Sequence, residues 1–399
     1  MRARIVLSVV LLFLLPSSSW ATDVLLDHVE FVREKGKPQT ATTTFSACDP
    51  EGTFTLVVDN GQDGAHRVSS GTISVNGIPV VTQSDFNQQV SMITKPLMNI
   101  QESNQLEVLL ASAPGSVIKV TITAQMICLA LTIDSPAAGS TVSQDEVTVS
   151  GSVRHRTPEI GIKVNGVLAQ VHGDRWIANK VPLAAGENVL TAVATDEKMR
   201  SVQSSIMVTA VEPTGPSLRL GANVEAGTAP LEVSFFLREN PGGTVSYELD
   251  FEGDGVVDQV LPTFDAVAHT YASEGDYFPS VTAVDGTGTR TASRMGITVY
   301  PLPPVISKWN KILGKLATGD VAGAMEFHTP SARDKYQRVY DTLGTDVPGI
   351  VTSFGPLEFV SCRGNVAEFY VRRTLDGEEK AFYVYFVRDQ DGFWKLEAY

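Results

Sequence analysis

The sequence predicts a multidomain, mainly β chain: three tandem β-sandwich modules followed by an α+β domain of helices on an antiparallel sheet. Three observations lead there. From Thr22 to Tyr300, apolar and polar residues alternate in short runs such as TFTLVVDNG, QLEVLLAS and VIKVTITAQ, the period-two signature of half-buried strands. Glycine and proline, 33 and 21 of the 399 residues, interrupt these runs often enough to separate many short strands by turns. After Pro301-Leu302-Pro303-Pro304 the period lengthens to about 3.6 before long strands resume, so helices precede a sheet there.

The chain opens with Arg2 and Arg4, an apolar run from Ile5 to Leu15, Pro16, and small residues at Ser19 and Ala21. This is the layout of a secretory signal peptide over residues 1–21, cleaved to leave Thr22 as the first mature residue. Eleven apolar residues are too few for a membrane span, which needs about 20, and no later run is longer, so no transmembrane span is expected after cleavage. With 45 acidic against 31 basic residues the net charge is −14, a sign that repels phosphate backbones and anionic lipid surfaces and argues against nucleic acid as a partner. Export into an oxidising space makes Cys48 and Cys128, which close two strand-like runs, candidates for a disulfide. Their spacing admits a bridge or two buried thiols.

The first module is read over residues 22–131. Val75-Asn76-Gly77 has the residues of a two-residue hairpin turn, in which both central positions need positive φ. The stretch RVSSGTISVNGIPVV, with SNQLEVLL after it, resembles a sandwich module that recurs in exported bacterial surface proteins. The second, over 132–211, carries Val164-Asn165-Gly166 and Asn188-Val189-Leu190, which echo Val75-Asn76-Gly77 and Asn104-Gln105-Leu106. It resembles a bacterial immunoglobulin-like domain of the kind appended to extracellular enzymes and adhesins. Trp176 lies in an alternating run and is expected in its core. Glu212-Pro213-Thr214-Gly215-Pro216 reads as a stiff linker.

Over residues 217–300, GTAPLEVSF, YELDFEGDGVVD and AHTYASEGDYFPSVTAVDGTG follow in the order of a polycystic-kidney-disease (PKD) domain, which this segment resembles; Leu249 stands where that family usually has Trp. Asp250, Glu252, Asp254 and Asp258 place four carboxylates within nine residues. Unneutralised, they repel one another, and converging on Ca²⁺ relieves this. The first six positions look like an EF-hand loop, but Leu261 occupies the position of the bidentate Glu. The PKD resemblance implies calcium at Asp250, Asp254 and Asp258, with Glu252 adjoining; a solvated acidic turn accounts for the same residues. Calcium is the one cofactor the sequence suggests.

In residues 305–399, Trp309, Ile312, Leu313 and Leu316 share a helical face; Val321, Ala324, Met325 and Phe327 suggest a second helix; Tyr336, Val339, Tyr340 and Leu343 suggest a third. Strands follow in LEFVSC, VAEFYVRRTL, AFYVYFVRD and FWKLEAY. This order, with GDVAGAMEF and DGFWKLEAY, resembles the nuclear-transport-factor-2-like fold, which implies a curved sheet wrapped over helices into a cone. The segment holds fifteen of the chain's thirty-one Phe, Trp and Tyr. In AFYVYFVRD both faces are apolar or aromatic, so Tyr383 and Tyr385 are expected at an interface or a pocket.

Some relatives of that fold are isomerases or dehydratases, which directs attention to Asp320, His328, Asp334, Tyr336 and Glu368, although none sits in a matching catalytic motif. His328, just before Thr329-Pro330, is expected in a loop or at a helix start. No G-x-S-x-G, H-E-x-x-H, CxxC or P-loop element is present. The sequence therefore points to an exported, non-catalytic protein for display, spacing or binding of protein or carbohydrate at the cell envelope. Sandwiches in series would form an extended rod, and the C-terminal domain would offer a surface for self-association. The other reading is a periplasmic small-ligand-binding or lyase/isomerase-like domain at residues 305–399, with a closed apolar cavity as the distinguishing feature.

Overall fold

The computed structural model describes residues 22–62, 64–211, 217–375 and 377–399. The signal peptide and the Glu212–Pro216 linker lie outside the described residues. The chain is mainly β and divides into two compact units between Cys128 and Leu129. The break falls there because Leu129 and Leu131 pack into the core of the second unit. Among the described residues no helix is long and apolar enough to cross a membrane.

In the first unit, two four-stranded sheets bury their facing sides in one core. One sheet runs Asp23–Val32, Val117–Gln125, Thr53–Asn60, Met92–Leu97; the other runs Thr40–Ser46, Ser103–Leu110, Gly71–Val75, Ile78–Val81. Alternation sets the faces: Phe54, Leu56, Val58 and Asn60 point inward from a single strand. Asn60 is tolerated there because its amide reaches Val68 and Val90 carbonyls at 3.0 and 2.9 Å while its oxygen accepts from Val68 N at 2.7 Å. Cys48 and Cys128 are joined as a disulfide, their Cα atoms 5.3 Å apart.

The Asn-Gly turns recur as one device in both units. Asn76 and Gly77 have φ of 52° and 78°, Asn165 and Gly166 φ of 48° and 87°, the left-handed conformations that a tight hairpin requires. Each asparagine side chain then ties the turn to a later strand: Asn76 Oδ1 accepts from Gln105 N at 3.0 Å, Asn165 Oδ1 from Thr191 N at 2.9 Å. Asn104 and Asn188 in turn clasp the backbone of Gln101 and Ala184.

Within the second unit, residues 130–210 form a five-stranded and a four-stranded sheet around a core that includes Trp176, which is 1% exposed. Residues 217–300 supply a three-stranded and a four-stranded sheet around a third core, with Leu249 inside it. A seven-stranded sheet crosses the expected boundary at Pro301–Pro304. Its order is Gly275–Tyr277, Ile297–Tyr300, Ala226–Thr228, Glu358–Arg363, Val366–Leu375, Glu378–Arg388, Trp394–Ala398. Gly364 N donates to Ala226 O at 2.6 Å, and Gly227 has no room for a side chain, since a Cβ there would lie 2.7 Å from Cys362 O.

Helices α1 (Val305–Ala317), α2 (Val321–Met325), α3 (Pro330–Leu343) and α4 (Val347–Val351) pack on the last four strands. Trp309, Ile312 and Leu316 are buried on one face of α1, Asp320 caps α2 through Gly323 N at 2.9 Å, and Thr329 caps α3. The sequence period does not mark α4, whose residues Val347-Pro348-Gly349-Ile350-Val351 place proline and glycine, both helix punctuators, inside a single short turn.

The extended-rod expectation is corrected for the second unit, whose three segments are locked together. Lys308 of α1 donates to Glu159 Oε2 at 2.7 Å and to Trp394 O at 2.6 Å, and Trp394 N donates to the same carboxylate at 3.2 Å. Glu159 and Lys308 are only 4% and 6% exposed. Asn179 makes a two-point amide contact with the backbone of Gly296, 2.8 Å in each direction. Arg388 binds Gln170 at 2.7 Å and Tyr300 at 3.2 Å. Pro301–Pro304 is no free spacer but the wall of a recess of about 230 Å³ shared with Glu159, Tyr300 and Trp394.

Burial pushes the Glu159 carboxyl above its usual range, opposed by Lys308. Lys308→Met leaves that carboxylate without its cation and is expected to destabilise the fold by about 3–5 kcal/mol, less at pH 5 than at pH 8 because the orphaned acid takes up a proton more readily at low pH. Denaturant unfolding at both pH values checks this, and Lys308→Met with Glu159→Leu should recover most of the loss.

Candidate functional site

The acidic turn follows strand Thr244–Asp250. Asp250 Oδ1 and Oδ2 accept from Gly253 N at 2.6 Å and Gly255 N at 2.8 Å, and Asp258 Oδ2 accepts from Phe251 N at 2.7 Å. Three carboxylate oxygens thus close the loop on itself. Gly253 is required, with φ of 79° and Phe278 O 2.4 Å from where a Cβ would stand. Asp250, Glu252 and Asp258 each still bring one oxygen within 4.8 Å of the others. Asp254 does not join them: it sits at the exposed tip, its Oδ1 accepting from Val256 N at 2.8 Å, so the four-residue set reduces to three. Burial first, then repulsion from Asp258, holds the Glu252 carboxyl above its usual range, against the pull of His269 at 3.3 Å. Three hard oxygens with crowded charge suit Ca²⁺, with the remaining ligands from water or backbone carbonyls.

Tyr383 and Tyr385 lie on the outer face of the seven-stranded sheet. Val384 and Phe386, which alternate with them along the strand, are fully buried, whereas Tyr383 is 55% exposed and Tyr385 half-buried. Their rings are 6.3 Å apart and tilted by 30°. Tyr370 pairs opposite Tyr383 and extends the aromatic strip. Polar groups frame it: Tyr385 donates to Glu368 Oε1 at 3.0 Å, Tyr370 donates to Glu358, and Arg372 binds Glu358 and Glu379 at 2.9 and 3.0 Å while its guanidinium lies 5.5 Å from the Tyr370 ring centre. The hydrogen bond from Tyr370 first, and then the pairing with Arg372, hold the Glu358 carboxyl below its usual range.

The inner face carries a separate cavity of about 290 Å³ between α3, α4 and the sheet. Tyr336, Tyr340, Phe354, Val371, Phe382 and Tyr399 line it, with Lys335 and Arg373 in its wall. Neither Tyr383 nor Tyr385 reaches it, because neighbours on a strand face opposite ways. Tyr336 donates to Tyr399 O at 2.9 Å, and the Tyr340 and Tyr399 hydroxyls share a hydrogen bond.

Of the five acid–base candidates only Tyr336 lines this cavity. Asp320 is the α2 cap and pairs with Lys315 at 2.9 Å; Asp334 is exposed on α3; Glu368 is on the outer face. His328 stands at the helix start, as expected, yet it is wholly buried. Phe327 O and Thr329 N bond Leu396 on strand Trp394–Ala398, which pulls the segment inward. The cavity and the outer strip were not separable in the sequence; alternation placed the tyrosines opposite Phe382, but only packing shows which face the helices cover.

Residues 130–211, about a fifth of the chain, match the family described as glucodextranase, domain B. No curated protein matches the chain. Among solved structures, fibronectin(III)-like modules of CbhA from Clostridium thermocellum align at 22% identity over 43% of this chain and 94% of theirs, with a TM-score of 0.19. Dimeric latent PorU from Porphyromonas gingivalis aligns at 10% identity over 70% of this chain and 34% of its own, at 0.26. The Bacteroides ovatus SGBP-B of a mixed-linkage glucan utilization locus, solved with a mixed-linkage heptasaccharide, aligns at 12% identity over 70% of each chain, at 0.15. The chain is thus a mainly β, multidomain protein with an immunoglobulin-like module at 130–211.

Two outcomes follow. Millimolar calcium should raise the melting temperature of the chain relative to chelator, with a Kd of about 10⁻⁴ to 10⁻³ M, and Asp258→Asn should remove the increment while Asp254→Asn leaves it. Burial, before all else, pushes His328 down to about 4 from its usual value; the unfolded chain therefore binds the extra proton first, and stability should fall as pH drops from about 6.5 to about 4. His328→Phe should flatten that part of the profile in pH-dependent denaturation.

Proposed function

We propose that this chain is an exported, non-catalytic protein of the cell envelope that binds carbohydrate through the tyrosine strip on the outer face of its seven-stranded sheet. The observation that carries the reading is the exposed platform of Tyr370, Tyr383 and Tyr385, framed by Glu358, Glu368 and Arg372. Sugar rings offer an apolar C–H face to aromatic rings and hydroxyls at their rim to carboxylates and guanidinium, and this strip presents those groups in that order. It supports display rather than turnover that the acid–base candidates are scattered over caps, solvent and core. The match of residues 130–211 to a domain of glucodextranase fits a protein that works on or near glucans, and the signal-like leader fits export.

In this reading residues 22–131 are a β-sandwich module, residues 132–211 a bacterial immunoglobulin-like domain, residues 217–300 a PKD domain and residues 305–399 a nuclear-transport-factor-2-like cone, all serving as a scaffold for the strip. Small-ligand binding is the second reading, and the apolar cavity of about 290 Å³ favours it; an apolar molecule of modest size fits among Tyr336, Phe354 and Phe382.

In native affinity electrophoresis against soluble glucans, the chain should be retarded, and Tyr383→Ala with Tyr385→Ala should weaken retardation at least about tenfold without changing the melting temperature. If the strip instead joins two copies of the chain, light scattering will show a dimer that Tyr383→Lys with Tyr385→Lys converts to monomer, and no glucan will retard it.

A further inference from the structure

A second recess lies within the second unit, between the sheet of strands Ala130–Ser135, Glu146–Arg154 and Arg175–Pro182 and the paired strands Ser280–Asp285 and Arg290–Arg294, the latter at the edge of its sheet. Its volume is about 600 Å³, inside the roughly 300–1,000 Å³ range of small-molecule sites. Its wall is unlike the rest of this acidic chain. Two guanidinium groups, Arg175 and Arg294, line it, and Asp134 is its only carboxylate among the described residues. Asp134 is already engaged, accepting from Thr132 Oγ1 at 2.9 Å and Ser152 Oγ at 2.7 Å, and it reaches Arg175 only at 3.9 Å. Arg294 has no carboxylate partner among the described residues; its guanidinium lies 4.4 Å from the centre of the Phe278 ring. The rest of the lining mixes hydroxyl and amide side chains, Ser135, Gln144, Thr148, Ser150, Ser280 and Ser293, with apolar Val147, Phe278 and Ala292.

We propose that this cleft binds an acidic oligosaccharide, with Arg175 and Arg294 taking its carboxylates, the serine and glutamine side chains its hydroxyls, and Phe278 an apolar ring face. Guanidinium is matched to carboxylate by its planar, forked donors. An isolated pair of such forks on a chain of net charge −14 attracts anions to one place and leaves the rest of the surface repelling them. Hydroxyl and amide groups outnumber apolar ones in this wall, which selects a hydroxylated ligand over an acidic peptide whose side chains would find no hydroxyl complement. The site is separate from the tyrosine strip, so either can fail alone.

The test is isothermal titration of the chain of residues 22–399 with trigalacturonate, a neutral galactotriose and a tri-glutamate peptide. The expected result is binding of trigalacturonate that weakens with added salt, falls at least about tenfold in Arg175→Gln and in Arg294→Gln, and is unchanged in Tyr383→Ala. Ala292→Trp fills the cleft from an exposed lining position without removing a charge and should abolish binding, which keeps the test informative if an arginine variant fails to fold. Absence of trigalacturonate binding, equal binding of the neutral sugar, equal or tighter binding of the peptide, or unchanged affinity in Ala292→Trp would each overturn the proposal. Loss of glucan retardation with trigalacturonate binding intact would count against the tyrosine strip alone.

Discussion

The second unit depends on one buried ion pair. Lys308 and Glu159 come from segments 149 residues apart and meet where almost no water remains. Taking both charges out of water costs several kcal/mol per ion, so the pair is tolerated only with nearly complete hydrogen bonding. Trp394 supports it, offering its N–H to Oε2 of the carboxylate and its carbonyl to the ammonium, while Oε1 of Glu159 stays buried without a partner among the described residues. Neither charge can leave without stranding the other, and residues 130–210 are thereby tied to residues 305–399.

Backbone continuity reinforces that lock. Because Ala226–Thr228 pairs with strand Ile297–Tyr300 on one side and meets Glu358–Arg363 on the other, the last four strands extend a sheet begun by the preceding segment. A sheet shared in this way transmits little hinge motion, since bending it breaks ladder bonds. The contact at Gly161 shows how close the packing is: a Cβ there would lie 1.8 Å from Asp391 O. Surfaces on this unit, the tyrosine strip and the arginine-lined cleft included, are therefore held at fixed positions relative to one another.

Charge is handled differently in each place. In the acidic turn, backbone amides engage Asp250 and Asp258 within nine residues, and repulsion between Glu252 and Asp258 remains. On the outer sheet face, Arg372 neutralises Glu358 and Glu379 across strands. In the cleft, Arg294 has no carboxylate partner among the described residues, and Arg175 meets Asp134 only at 3.9 Å with Asp276 also in its field. The last arrangement leaves positive charge for a ligand, and it involves residues from segments more than a hundred positions apart, which no linear motif could display.

Local chemistry was legible in the sequence. Alternation marked the strands and their buried faces, as in Phe54, Leu56 and Val58; Asn76-Gly77 and Asn165-Gly166 marked hairpins because few other residues accept positive φ; Thr329-Pro330 marked a loop or helix start because proline suits the first helical turn. Trp176, in an alternating run, belonged to a core. Each of these rests on interactions within a few residues or on a strand's own periodicity, so the amino-acid order alone decides them. What required the tertiary structure was everything set by distant partners. Asp254 leaves the carboxylate cluster because the loop closes through Asp250 and Asp258; His328 is buried because Leu396 pairs beside it; Tyr383 and Tyr385 face outward because α1 and α3 cover the other side. Pro301–Pro304 looks like a linker and is a packed wall, since proline specifies a local backbone angle and says nothing about what the rest of the chain brings against it.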